Sequence, residues 1–396
     1  MIVTPNLVQY VLITRVGNFV LGSDHRSQCR FLFKISGSWM IPIGKLPTNF
    51  TGLQKIPSWF SFTDEIEKSK NFECQNHGTE IVQTLDIDNY EYIAIVSGDG
   101  LVNEVITGLL TREDRDRALR VPILHIPGGT ANALAACIAY KSGEPFSARG
   151  GFCKEMTLMG IKPIFRKLRL NHFQSEMDGH KCMFLSASWG LIADIDICSE
   201  RFRWAGMIRL HIEAFIRIMQ LPTVAKYRGK ISYLPVNDDD VIKKTRLRWN
   251  EARKKFGKNH FEGGHVDDIL NPELFSNFNS KKNTVENSFK NEEIVKVNFL
   301  QDPVPEDWVT VEGEFVYVMV SSASHLGSDL PYMPMTKLEE EILYLTVIDW
   351  KVVQNRFQIA GMFIEMDHCA HLDYRCFQRF PNRKIFSGHF AKVVTG

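Results

Sequence analysis

The segment that most constrains this chain is an apolar strand that runs through a glycine-flanked carboxylate into a helix. Residues 93–96 are apolar and precede the turn Ser-Gly-Asp-Gly at 97–100. Apolar residues then recur at helical spacing over 101–110, a pattern that predicts a helix with one buried face. Glycine lets a backbone approach a ligand closely, and the free N–H groups at a helix N-terminus attract phosphate oxygens. The segment therefore predicts a phosphate site that contains a carboxylate.

Asp99 is the unusual member of this turn. A carboxylate among phosphate-binding amides would repel the ligand, so its presence suggests a chemical role, as a base or as a group that orients a metal. Aspartate is also a favoured N-cap of helices, and Ser97 and Gly98 would then form only a turn. The segment alone leaves both interpretations open.

A second unit of the same kind follows in the sequence. Residues 121–126 are another apolar run, 127–132 read Pro-Gly-Gly-Thr-Ala-Asn, and a helical pattern begins at 133. Two such units in succession are typical of parallel strands joined by a crossover helix. We expect a nucleotide crevice where the carboxyl ends of the two strands meet.

Four motifs carry a resemblance to a known family: SGDGLVNEVITGLL at 97–110, PGGTANALA at 127–135, SASWGLIADIDICSERFRWAGMIRLHIEAF at 186–215 and YRGKISYLP at 227–235. Together they resemble the sphingosine kinases, within the diacylglycerol kinase-like lipid kinase superfamily. The block Trp-Gly-x-x-Ala-Asp-x-Asp in the third motif is closer to sphingosine kinases than to diacylglycerol or ceramide kinases. The resemblance covers residues 75–236 and 302–330, and continues more weakly to 376.

The resemblance implies an ATP- and Mg²⁺-dependent kinase that phosphorylates the primary hydroxyl of sphingosine or a related long-chain base. Asp99 matches the catalytic base of the family. Asp196, with Ser186, lies where the family binds the lipid head group, and a carboxylate can pair there with an ammonium. The positions that match nucleotide- or magnesium-side residues are Ser97, Gly98, Gly100, Glu104, Gly129, Thr130, Ala131, Arg203 and Arg209.

Some of these assignments rest on the resemblance alone. Without it, Arg203 and Arg209 would be interpreted as part of a solvated basic face. Ala131 stands where the family usually has glycine, which would stiffen the second turn. Asp194 and Asp196 lie in an apolar block, where an unpaired buried carboxylate is costly, so at least one of them is expected to have a polar partner. No protein ligand for a metal is assigned.

Two segments that the family uses at its nucleotide site are not found in the sequence. These are an N-terminal Asn-Pro-x-x-Gly turn and a C-terminal Asp-Gly-Glu segment. Their absence leaves a second hypothesis open, a catalytically impaired relative that acts by binding lipid or protein. A third hypothesis, a diacylglycerol or ceramide kinase, is disfavoured by Asp196, because those neutral lipids offer no ammonium.

The pattern of elements predicts two domains. Strands and helices alternate over 1–155, which favours an α/β nucleotide-binding domain with a parallel sheet and glycine-rich turns. Short strand-like runs then predict a β-rich, β-sandwich-like lipid-binding domain over 156–396, with a polar, flexible insertion at 237–298. Residues 206–220 predict an amphipathic helix. Its apolar face suits the protein core, a lipid pocket, a membrane surface or a calmodulin-type partner.

Composition and charge limit the classes of function and of cellular location that we expect. The chain has 396 residues, 44% of them hydrophobic, and a net charge of +1, so charge offers no argument for nucleic acid as a partner. Its apolar runs are too short for a membrane span or a signal peptide, and we expect a cytoplasmic protein that associates peripherally with membranes. The eight cysteines lack C-x-x-C spacing and suit reduced thiols. A metal site at 368–376, which contains two histidines and two cysteines, is disfavoured.

Overall fold

The computed structural model describes the chain in several separate ranges. The described residues are 2–13, 39–44, 70–71, 76–143, 152–159, 164–175, 179–205, 208–221, 226–235, 309–374 and 378–393, with a few positions between 240 and 252. The helices are α1 (His77–Thr84), α2 (Asp99–Leu110), α3 (Arg115–Ala118), α4 (Ala133–Ser142), α5 (Phe152–Met159), α6 (Leu191–Ser199), α7 (Ile208–Gln220) and α8 (Arg356–Ile364).

The strands, numbered in chain order, are β1 (Ile2–Ile13), β2 (Trp39–Gly44), β3 (Lys70–Asn71), β4 (Tyr90–Ser97), β5 (Ile123–Pro127), β6 (Ile164–Ser175), β7 (Gly179–Met183), β8 (Ser186–Gly190), β9 (Lys226–Pro235), β10 (Val309–Ser321), β11 (His325–Gly327), β12 (Leu330–Pro331), β13 (Leu343–Asp349) and β14 (Gln378–Val393). Short 3₁₀ helices include Glu200–Ala205, which links α6 to α7.

The unit β4–α2–β5–α4 forms as the sequence predicts. β4 and β5 are parallel neighbours, paired from Ile93↔Ile123 to Ser97↔Pro127, so the parallel arrangement is confirmed. The apolar face of α2, including Val102, Val105 and Leu109, is fully buried. Burial of this face and of the strands builds the first hydrophobic core and brings both glycine turns to one edge of the sheet.

The later strands extend the same sheet with antiparallel pairings. Most of the described strands form one twelve-stranded sheet. β1 joins its two parts, because it pairs parallel with β5 at Val11↔Ile123 and antiparallel with β14 at Ile2↔Phe386. It also pairs antiparallel with β6 along nearly its whole length. Residues 179–190 form two separate strands, β7 and β8. The β-sandwich-like second domain and the boundary after residue 155, which falls within α5, remain predictions.

The segment around β11 and β12 attaches the second glycine turn to the rest of the protein. The backbone N–H of Ser328 donates to the carbonyl oxygen of Ala131 at 2.8 Å. His325 is buried, and its ring lies 5.0 Å from that of Tyr140 on α4. The second glycine turn is therefore attached to residues 325–328, which are distant from it in the sequence.

The start of the predicted insertion is packed against a second core. Helical positions occur at 240–252, where Ala252 and Thr245 are buried. Arg248 donates to Glu340 at 2.6 Å. Residues 253–298 lie outside the described part of the chain, so the flexible insertion remains a prediction there.

Three consecutive glutamates connect separate elements next to this packed segment. Glu339 pairs with Lys141 of α4 at 3.0 Å, Glu340 with Arg248 at 2.6 Å, and Glu341 with Arg169 of β6 at 2.7 Å. The Glu340 side chain is 14% exposed, whereas that of Glu339 is 40% exposed. Because water screens exposed pairs, the Glu340 pair should contribute most to stability.

Glu340→Ala should therefore destabilise the protein by about 2 kcal/mol, because it leaves the partly buried Arg248 without its charged acceptor. Glu339→Ala is the matched control and should cost less than about 0.5 kcal/mol. Urea unfolding followed by circular dichroism measures both free energies of unfolding. Equal losses in the two variants would contradict the ranking by burial.

Candidate functional site

The two glycine turns are in direct backbone contact. A Cβ atom added to Gly129 would lie 2.3 Å from the Cα of Gly98, closer than any side chain can approach. The backbone N–H of Gly128 donates to the carbonyl oxygen of Ser97 at 3.0 Å. Glycine is therefore required at the contact by packing, and the two turns form one surface.

Asp99 does not cap its own helix. The N-cap of α2 is Gly98, which provides no side chain for capping. The Asp99 carboxylate instead crosses to α4, where Oδ2 accepts from the N–H of Ala133 at 2.8 Å and Oδ1 from that of Leu134 at 3.0 Å. The negative charge thus meets the positive end of the α4 dipole. Its side chain remains 20% exposed, so a ligand can still reach it.

His125 lies beneath this carboxylate and was not predicted as a site residue. Its side chain is 0% exposed. Nε2 is 2.8 Å from the carbonyl oxygen of Ser97, and Nδ1 is 3.9 Å from Oδ1 of Asp99. Burial lowers the pKa of His125, although the nearby Asp99 charge opposes this effect. The signal in the sequence was a histidine inside an apolar strand.

Asn132 fixes the shape of the second turn and was also missed. Its Oδ1 accepts from the N–H of Gly129, and its Nδ2 donates to the carbonyl oxygen of Gly129, both at 2.9 Å. Asn132 itself has a left-handed backbone, with φ of 55°, which asparagine tolerates. Gly129 and Thr130 are left exposed at the surface of the turn, beside partly buried Ala131.

The first turn leaves open space next to Asp99. A Cβ added to Gly100 would meet no atom of the described residues within 4 Å. Ser97 is buried, so its place in the site is as part of the scaffold through its backbone. In the part of the chain that the structure describes, the surface at Gly100 and Thr130 is therefore open.

Glu104 lies on α2 and contacts the N-terminal end of α1. Its Oε2 accepts from the N–H of Gly78 at 3.0 Å, and its backbone oxygen accepts from the Thr79 hydroxyl at 3.0 Å. One carboxylate oxygen thus has a structural partner. The predicted nucleotide- or magnesium-side role of Glu104 remains a prediction.

A second group of predicted residues lies on α6 and α7. Asp196 is on an exposed position of α6. Partial removal of water raises the pKa of its carboxyl, with Arg209 opposing the change. Arg209 also forms an ion pair with Glu200. The side chain of Arg203 lies outside the described residues.

Asp194 differs from Asp196 in having structural partners. It accepts from the Tyr227 hydroxyl at 2.6 Å and lies 3.9 Å from Arg217. Burial and this carboxylate raise the pKa of Tyr227. The expectation that at least one of the two aspartates has a polar partner is met by Asp194.

Ser186 begins β8, the strand that leads into α6. It pairs with Ser321 of β10 and is partly buried. Gly190 ends the strand with φ of +90°, where an added Cβ would lie 2.8 Å from the carbonyl oxygen of Val316. This tight turn sets the direction in which α6 leaves the sheet.

The helix predicted at 206–220 is present as α7, and its covered side carries charged as well as apolar residues: Leu210, Ala214 and Ile218 pack against the second core. The charged residues Arg209, Glu213 and Arg217 recur every fourth position and are mostly covered, with Glu213 fully buried. Ile208 and Phe215 are instead 64% and 68% exposed. Hydrogen bonds from Arg217 and Arg201 lower the pKa of Glu213 against the effect of burial.

No group of three His, Cys, Asp or Glu side chains in the described part of the chain is arranged to hold a metal ion. Cys376, one member of the disfavoured metal site, lies outside it. No described helix is both long and apolar enough to cross a membrane.

The chain is similar in sequence to a known catalytic domain and to named kinases. Residues 60–158 match the sequence family described as the diacylglycerol kinase catalytic domain. The chain is 28% identical over 305 residues to sphingosine kinase 1 of Homo sapiens, a match that covers 77% of this chain and 68% of that protein. It is 29% identical over 318 residues to sphingosine kinase 1 of Caenorhabditis elegans, covering 75% and 62%.

A plant relative and a solved structure extend the comparison. Sphingosine kinase 1 of Arabidopsis thaliana is 37% identical over 173 residues, which are 43% of this chain and 33% of that protein. The crystal structure of a diacylglycerol kinase from Bacillus anthracis str. Sterne aligns with a TM-score of 0.38 and 14% identity, over 82% of this chain and 77% of that chain.

The two glycine positions should respond differently to alanine. Gly129→Ala should destabilise the protein by about 2 kcal/mol, because the methyl group meets backbone that cannot move aside. Gly100→Ala should preserve the thermal midpoint, because alanine favours the helix, but weaken ATP binding by filling the open space. Thermal unfolding and calorimetric titration with ATP measure the two effects. Wild-type ATP affinity in Gly100→Ala would contradict a phosphate site there.

Proposed function

We propose that this chain, which belongs to the diacylglycerol kinase-like superfamily of lipid kinases and is a relative of the sphingosine kinases, phosphorylates a sphingoid base. Membership of the superfamily confirms the prediction from the motifs. The reaction would transfer the γ-phosphoryl group of ATP to the primary hydroxyl of sphingosine or sphinganine. The observation that carries the proposal is the accessible Asp99 carboxylate at the junction of the two glycine turns.

Asp99 would act as the base. Two backbone N–H groups of α4 hold its oxygens in one orientation, which suits a group that must meet a hydroxyl in a defined direction. The hydroxyl proton passes to the carboxylate as the lipid oxygen bonds to the γ-phosphorus and the bond to the β-phosphate oxygen breaks. Phosphoryl transfer depends chiefly on such positioning and on electrostatic stabilisation.

The nucleotide would lie along the surface formed by the two turns. Gly129 and Thr130 are exposed and the space above Gly100 is open, which leaves room for phosphates there. The N–H of Gly129 itself donates to Asn132. Mg²⁺ in kinases is held largely by the phosphates of the nucleotide and neutralises their charge when bound. Glu104 is the carboxylate we assign to the nucleotide side, since only one of its oxygens is used by Gly78.

Asp196 would recognise the head group of the lipid. A sphingoid base carries an ammonium next to its primary hydroxyl, and a carboxylate can bind this cation with charge-assisted hydrogen bonds. The neighbouring Asp194 is already engaged by Tyr227, so the two carboxylates have different tasks. A neutral acceptor such as diacylglycerol would gain nothing from Asp196.

The exposed face of α7 would bring the enzyme to its substrate. Ile208 and Phe215, and Trp204 shortly before them, are exposed apolar residues close in sequence to Asp196, and Trp204 is 83% exposed. Apolar and aromatic side chains of this kind insert at membrane interfaces. We propose peripheral membrane association through this face, and a calmodulin-type partner at 206–220 remains a prediction.

Asp99→Asn tests the chemical role. The variant should lower kcat for sphingosine phosphorylation by at least about 100-fold, because an amide cannot accept the proton. It should also cost about 1 kcal/mol of stability, because one of the two α4 N–H groups loses its acceptor. Labelled ATP measures the first effect and thermal unfolding the second. Retention of wild-type kcat would remove Asp99 from the role of base. Sphingosine binding without phosphate transfer by the wild type would favour a non-catalytic relative.

Asp196→Asn tests the choice of substrate. The variant should raise KM for sphingosine by about tenfold, through loss of the charge that pairs with the ammonium. Asp194→Asn is the matched control. It should lower the thermal midpoint more than Asp196→Asn does and change KM less, because Asp194 bonds to Tyr227. Initial rates at varied sphingosine concentration give KM for each variant. An unchanged KM in Asp196→Asn would contradict the ammonium site.

A further inference from the structure

His125 is a buried imidazole that faces the Asp99 carboxylate from inside the protein. It lies on β5, opposite Ile95 of β4 in the parallel ladder. One nitrogen, Nε2, contacts the Ser97 carbonyl oxygen at 2.8 Å. The other, Nδ1, is buried, has no hydrogen-bond partner among the described residues, and lies 3.9 Å from Asp99 Oδ1.

The contact with Ser97 determines where the proton of the ring lies. A carbonyl oxygen only accepts hydrogen bonds, so Nε2 must carry the hydrogen. Burial lowers the pKa of His125, and this favours the neutral ring despite the nearby carboxylate. In the neutral ring Nδ1 then carries a lone pair. A nitrogen acceptor and a carboxylate acceptor therefore face each other with no proton between them.

This arrangement is unfavourable in the resting protein. A buried acceptor without a donor costs stability, and the neighbouring strand residues Ile123, Leu124 and Ile126 show that the environment is apolar. An aliphatic side chain would satisfy the packing at this position without that cost. The arrangement becomes favourable once Asp99 holds a proton, because an Asp99 O–H can donate to Nδ1.

We propose, on the basis of the function proposed above, that His125 is a positioning residue that stabilises Asp99 in its protonated state during phosphoryl transfer. The O–H bond of the lipid hydroxyl breaks, its electron pair forms the new bond to the γ-phosphorus, and the proton goes to Asp99. Asp99 then donates this hydrogen to Nδ1 of His125. The two atoms approach by about 1 Å, from 3.9 Å to normal hydrogen-bond distance.

A structural role through Ser97 is the competing explanation, and the two ring nitrogens allow the roles to be separated. In His125→Gln, the amide N–H can reach the Ser97 oxygen in place of Nε2, but no acceptor remains at the position of Nδ1. In His125→Asn, the shorter amide can place its oxygen near the position of Nδ1, but it does not reach Ser97. The two variants therefore each preserve one contact and lose the other.

The proposal predicts that His125→Gln lowers kcat about tenfold, with KM for ATP and for sphingosine within about twofold of wild type. His125→Asn should retain more of the wild-type kcat than His125→Gln, even if its thermal midpoint is lower. The opposite order of kcat, or wild-type kcat in His125→Gln, would overturn the proposal and assign His125 a structural role. Steady-state kinetics and thermal unfolding of the full chain provide these values.

A second readout needs no turnover and separates this inference from the proposed function. ¹⁵N NMR of the histidine-labelled chain, with His125→Gln to assign the resonance, reports which ring nitrogen is protonated. An unprotonated Nδ1 at neutral pH is expected, and a protonated Nδ1 would overturn the inference whatever the activity. Conversely, absence of phosphate transfer by the wild type, measured beside Asp99→Asn, would count against the proposed function itself.

Discussion

The hydrogen bonds between the Asp99 carboxylate and the start of α4 are the interaction on which the rest of the site depends. They join the first strand–turn–helix unit to the second, because the acceptor belongs to α2 and the donors, Ala133 and Leu134, to α4. The helix gains a cap, and the partly buried charge gains the positive end of a dipole. The first unit therefore supplies a cap to α4, and the second unit supplies hydrogen-bond donors to Asp99. The close contact of Gly98 with Gly129 follows, since the turns must approach for the carboxylate to reach.

The elements around the site could be predicted from the sequence, whereas the partners of their side chains could not. The apolar run before Asp99 and the helical spacing after it are local patterns, and they gave β4, α2 and their parallel neighbour correctly. Which N–H groups Asp99 would bind depends on the approach of a helix that begins at Ala133. The same is true of His125, whose significance comes from a carboxylate on another strand's turn. Such contacts leave no local pattern.

The different surroundings of Asp194 and Asp196 depend on the direction in which α6 points each side chain. Both are acidic, both lie in the same apolar block, and nothing local separates their roles. Residues two positions apart on a helix point to different sides, so α6 directs Asp194 toward Tyr227 and leaves Asp196 exposed. The resemblance to sphingosine kinases selected Asp196 for ligand binding. The structure adds the physical reason that Asp194 is already committed to a partner.

The contacts of α7 explain why part of its apolar surface stays exposed. A helix on the surface of a soluble protein normally buries apolar residues and exposes charged ones. Here Glu213 is buried between Arg201 and Arg217, while Ile208 and Phe215 are exposed. Arg217 pairs with Glu213 within α7 and lies 3.9 Å from Asp194 of α6. The apolar residues Leu210, Ala214 and Ile218 of α7 pack against the second core. Ile208 and Phe215 are the apolar residues that this packing leaves exposed, and the proposed membrane contact therefore rests on them.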